Sequence, residues 1–92
     1  MQSQFMKDFI NELKTQASDA KAVKKYTFVF QKSKYFDETN LHTVYVYFNS
    51  KFSRSFSTAV IAPDNFLDTL ELTKQEKARY IKYATFLYLP KI

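Results

Sequence analysis

Not one of the 92 residues is glycine. At average usage of about 7%, a chain of this length would carry about six. Every tight turn must therefore be built from residues that keep a side chain. Asn40 and Asn49 are the natural candidates for positive φ, with Asp, Ser and Lys filling other turn positions. The same absence removes whole classes of chemistry. Phosphate-cradling loops and dinucleotide fingerprints need glycine so that the backbone can approach the ligand. Neither can exist here.

Cysteine is absent too, which excludes a disulfide framework, a thiolate metal site and a thiol nucleophile. The single histidine, His42, falls inside or at the start of a β-rich run. With no second His or Cys, and no serine on an elbow-like turn, it is read as a structural strand residue. Asp64, Asp68 and Glu71 stand at i, i+4 and i+7, a row that could hold Mg²⁺. Acids near a helix start are also what the macrodipole favours, so the row is read as a solvated helix face. No catalytic residue, metal or cofactor is assigned, and the chain is expected not to be an enzyme.

The material for a core is ample. Hydrophobic residues make up 46% of the chain, with ten Phe and seven Tyr, and each ring buries about 150–250 Å² when packed. A single domain over residues 1–92 is expected. Lys7, Asp8 and Glu12 interrupt any apolar run near the start, so neither a signal peptide nor a membrane span is expected, and the location is read as cytoplasmic.

The spacing predicts an α+β fold. Over residues 5–21, Phe5, Met6, Phe9, Ile10, Leu13, Ala17 and Ala20 fall within an arc of about 140° on a helical wheel, opposite the charged residues. This is an N-terminal amphipathic helix with Ser3 as its N-cap. From Tyr26 the period changes to two. Strands are expected at 26–31, at 41–48 and, after a short turn at Asn49-Ser50, from Phe52 to Ile61. These three form an antiparallel sheet. Two C-terminal helices follow: one at 65–71 capped by Asp64, and one to about Ala84 opened by the capping box Thr73–Glu76. Residues 85–89 are read as a short closing strand before Pro90, with extension of the helix as the alternative. The helix–three strands–helix order is similar to that of double-stranded-RNA-binding domains. Their glycine-bearing loop and basic helix start are missing, so the order carries no function here.

Charge ranks the partners. Residues 1–19 carry net −1, residues 20–63 net +5 and residues 64–92 net +1. The excess lies on the sheet and its lead-in, with Lys21, Lys24, Lys25, Lys32, Lys34, Lys51 and Arg54, and a second basic cluster on the last helix includes Arg79 and Lys82. In the second strand, burial of Val44, Val46 and Phe48 would turn Tyr45 and Tyr47 to the opposite face. Basic groups among exposed rings suit single-stranded nucleic acid, where lysines track phosphates and rings stack on bases. The expected nucleic-acid-binding set is Lys24, Lys25, Lys32, Lys34, Tyr45, Tyr47, Lys51, Arg54, Arg79 and Lys82. A helix-turn-helix over 64–84 is a weaker nucleic-acid reading, since its turn lacks the usual glycine.

The expected function is a small basic accessory protein of a larger replication or processing enzyme. Its Lys, Asn, Phe and Tyr usage fits AT-rich codons and a phage or mobile-element source. The alternative is a protein-interaction module, an accessory subunit or inhibitor, with homodimerisation through the C-terminal segment.

Overall fold

The computed structural model describes residues 3–32, 42–59 and 62–89. Its order is α1 (Gln4–Gln16), α2 (Ala20–Val23), β1 (Tyr26–Gln31), β2 (His42–Phe48), β3 (Lys51–Thr58), α3 (Pro63–Asp68), α4 (Lys74–Tyr83) and β4 (Thr85–Leu89). The α+β class is as read from the sequence. The expected residues Lys34 and Asn40, and the end of the third strand at Val60–Ile61, lie outside the described residues.

The helices follow their local signals, with two adjustments. Ser3 Oγ accepts from the Met6 amide and starts α1. The long helix expected over 5–21 breaks after Gln16, because the Asp19 side chain accepts from the Lys21 amide and caps α2 instead. Asp64 does not cap α3. Ala62 holds the N-cap position with Pro63 behind it, and the helix stops at Asp68. Both halves of the Thr73–Glu76 capping box are present on α4.

The sheet has four strands in the order β3-β2-β1-β4: the antiparallel three and the closing strand read at 85–89, which joins them as β4. β2 pairs antiparallel with β1 and β3, while β4 closes the other side parallel to β1. The β2–β3 turn is made by Asn49 and Ser50 at φ 55° and 67°. Two successive positive φ values match the right-handed twist of a hairpin, and here neither residue is the glycine that such turns favour.

The core lies between the helices and one face of the sheet. Tyr26, Phe28, Phe30, Val44 and Val46 point towards Phe9 and Leu13 of α1, Phe66 and Leu67 of α3, and Tyr80 of α4. Each is essentially inaccessible, and burying such a side chain stabilises by about 1.5–3 kcal/mol. The Tyr80 hydroxyl donates to the Leu13 carbonyl at 2.7 Å, joining α4 to α1. Among the described residues, no helix is long and apolar enough to cross a membrane.

Candidate functional site

All the helices pack on one face of the sheet, and among the described residues no layer lies over the other. Strand alternation decides what that face displays. Since Tyr26, Phe28 and Phe30 point to the helices, Thr27, Val29 and Gln31 point away, opposite Tyr47, Tyr45 and Thr43 of β2. The β4 register adds Thr85, Leu87 and Leu89. Phe52, Ser55 and Ser57 of β3 complete the face. None of these side chains carries a charge.

At its centre is a shallow groove of about 450 Å³, floored by Thr27 and Val29 and flanked by Tyr45, Tyr47, Leu87 and Leu89. Tyr45 is steadied by a 3.0 Å hydrogen bond from its hydroxyl to Gln31 Oε1. Tyr47 meets Phe52 edge-on at 5.7 Å. Leu87 remains half exposed. The groove is therefore largely apolar, and the face around it is uncharged, with Thr, Ser and Gln side chains on all four strands.

Of the expected nucleic-acid-binding residues that the structure describes, only the two tyrosines lie on this face. Arg54 turns the other way. Its register partner is Val46, and its guanidinium lies 5.0 Å from the rings of both Phe5 and Phe9 while Nη2 reaches Glu12 Oε1 at 3.3 Å. The cause is the irregularity opposite Val46 and Tyr47, which inserts Ser53 as an extra residue. Arg54 and Phe52, two apart, consequently project to opposite faces. Glu12 also accepts from the buried Tyr26 hydroxyl. Burial first, and then the bond to Glu12, push the Tyr26 phenol well above its usual range. This knot ties α1 to the sheet, with Arg54 Nε buried and without a hydrogen-bond partner among the described residues.

The other described cations of that set lie off the open face. Lys25 lies 5.9 Å from the Phe48 ring at the hairpin end of the sheet, and Lys51 is exposed at the start of β3. Lys32 is exposed just past β1. Lys24 and Lys82 both approach the Tyr83 ring, at 5.6 and 5.3 Å, and Arg79 donates to the Ala17 carbonyl at 3.0 Å. These last three form a basic cluster where α2 meets the C-terminal half of α4. The ion pairs among the described residues engage Lys14, Arg54 and Lys77, and none reaches that cluster.

The acidic row is drawn into structure. Lys77 Nζ stands 2.6 Å from Asp64 and 2.7 Å from Asp68, joining α4 to α3, and Glu71 adopts a positive φ of 58° beyond the helix. His42 is the first residue of β2, buried and paired in register with Thr58. Among the described residues, no three His, Asp or Glu side chains are grouped to hold a metal ion.

Val29, Phe52, Leu87 and Leu89 belong to the open face and were not among the residues singled out from the sequence. Alternation in Thr85–Leu89 hinted at the leucines, but which face they join depends on pairing with β1. Comparison with protein-family models, with curated proteins and with solved structures finds no match to this chain.

Proposed function

We propose that this chain is a protein-interaction module, acting as an accessory subunit or inhibitor, whose open sheet face receives an apolar, uncharged surface of a partner protein. One observation carries this. Among the described residues, the face that the helices leave uncovered holds an apolar groove and bears no charged side chain, while the cations lie elsewhere. A phosphate backbone needs cations beside the stacked bases. A protein surface of matching polarity needs none, and depletion of charge with enrichment of aromatic residues is typical of interface centres. Strand pairs laid parallel are also usually covered on both faces, whereas β1–β4 is covered on one.

Photocrosslinking in the cell of origin tests this. With benzoylphenylalanine in place of Tyr47, a discrete nuclease-resistant protein adduct is expected, absent when the probe replaces exposed Lys7. Nuclease-sensitive adducts, or none above the Lys7 control, would overturn the proposal.

A second reading keeps nucleic acid as the ligand but moves it to the helical side. Lys24, Arg79 and Lys82 converge without a carboxylate partner among the described residues. Contact there would be with phosphates and not by base stacking, because lysines already crowd Tyr83. Fluorescence anisotropy with labelled oligonucleotides over a salt series decides it. Three phosphate contacts give a log–log slope of about −2 to −3. Replacing the three residues by Ala would flatten it. No binding at low salt would remove this reading.

A further inference from the structure

We infer that β4 pairs edge to edge with β4 of a second copy of this chain, antiparallel about a two-fold axis at Leu87, to form one continuous eight-stranded sheet. β4 ends the strand order, and among the described residues it pairs only with β1, so one row of its backbone N–H and C=O groups has no partner among the described strands. An unprotected edge is a template for another strand.

The two edges of this sheet differ in the way that matters for such pairing. β3 carries Lys51, Arg54 and a run of serines, and an extra residue disturbs its register. Those are the devices that blunt an edge. β4 has none of them. Thr85–Leu89 holds no charge and no proline, and its register with β1 is continuous. Of the six exposed large apolar side chains among the described residues, Leu87, Tyr88 and Leu89 are consecutive on this strand.

The strand's own pattern identifies the occupant. A two-fold axis through Leu87 sets Phe86 opposite the partner copy's Tyr88 on the helix side. On the open side Leu87 meets its own counterpart and Thr85 meets Leu89. Aromatic pairs with aromatic, and no like charges meet, although each copy carries net +5. Phe86 stacks at 5.3 Å on Phe28, and Tyr88 at 5.6 Å on Phe30, so pairing would extend an existing row of rings across the axis. Self-pairing of this kind is the isologous contact that closes a dimer. It widens the sheet sideways, leaves the open face uncovered, and stands or falls separately from the partner proposed above.

Five residues a side is well below a standard interface of about 20–30. The full chain should therefore sediment as a monomer at about 1 μM and as a dimer at about 500 μM. Leu87→Lys places two ammonium groups across the axis, and Leu87→Glu places two carboxylates. Each variant alone should stay monomeric at the higher concentration, and an equimolar mixture should recover the dimer. Should either variant fail to fold, hydrogen exchange of the unaltered chain decides the matter. The β4 amides that point away from β1 should exchange at least tenfold more slowly at the higher concentration. A wild type that stays monomeric, a Leu87→Lys chain that still dimerises, a mixture without recovery, or β4 exchange independent of concentration would each overturn the inference. The Tyr47 crosslink would remain to be judged on its own.

Discussion

Replacing Tyr26 by Phe isolates the bond that ties α1 to the sheet. The ring is fully buried against Phe28, Phe48 and Tyr80, and Phe preserves those contacts. What disappears is one hydroxyl donating to the Glu12 carboxylate, which keeps Arg54 on its other oxygen. A hydrogen bond to a charged group contributes about 1.5–3 kcal/mol. The Glu12 side chain is a third exposed, so water replaces part of what is lost. The expected cost is thus at the lower end, about 1.5–2 kcal/mol, or about 6–16 °C in Tm for a domain of this size. Urea unfolding with an unchanged m-value is the assay, and a double-mutant cycle with Glu12→Ala, which leaves no acceptor for the hydroxyl, should return most of that energy as coupling. A loss below about 0.5 kcal/mol, or a coupling near zero, would refute the knot as a stabilising device.

Tyr80→Phe should cost less, about 0.5–1.5 kcal/mol by urea unfolding, because the Leu13 carbonyl still accepts from the Ala17 amide. Alkaline pH should act on both tyrosines. Burial, with Glu12 nearby, raises each phenol above its unfolded value near 10, so the folded chain holds two protons that the unfolded chain releases. Their contribution is complete below about pH 10 and falls as pH rises further, by about 2.7 kcal/mol per unit. Half of that slope should vanish in Tyr80→Phe, which separates it from lysine titration in the same range. Thr73→Ala, which removes the α4 cap, should cost about 1 kcal/mol in thermal or urea unfolding. Ser50→Gly should stabilise by about 0.5–1 kcal/mol, since φ 67° is strained for serine, and an unchanged or lower Tm would count against that turn geometry.

What the sequence revealed followed the range of each signal. The α1 stripe and the Thr73–Glu76 box are local; the box appears where the spacing put it, and the stripe does as far as Gln16, where the helix ends before the Asp19 cap of α2. β1 and β2 were legible because alternating residues have to choose between core and outside, which also turned Tyr45 and Tyr47 outward. The side taken by Arg54 was not legible. It depends on one extra residue in β3, and a one-residue slip moves every following side chain to the other face. The partner of β4 was hidden for a related reason. Parallel pairing with β1 joins segments more than fifty residues apart, and only that register unites Leu87 and Leu89 with Tyr45 and Tyr47. Net charge by segment located the lysines along the chain but not the face they occupy.

The central claim is that a protein surface covers the open sheet face when the chain is at work. Because the chain has no cysteine, a single introduced thiol reports on one position alone. The most direct measurement is the rate at which a cell-permeant maleimide labels Tyr47→Cys in the cell of origin. The reference is the purified protein, with Lys7→Cys as the exposed control. Labelling at position 47 should slow at least tenfold in the cell while the control does not change, and nuclease treatment of a fresh extract should leave the protection intact. Equal rates at position 47 in both settings, or protection that nuclease abolishes, would contradict the claim.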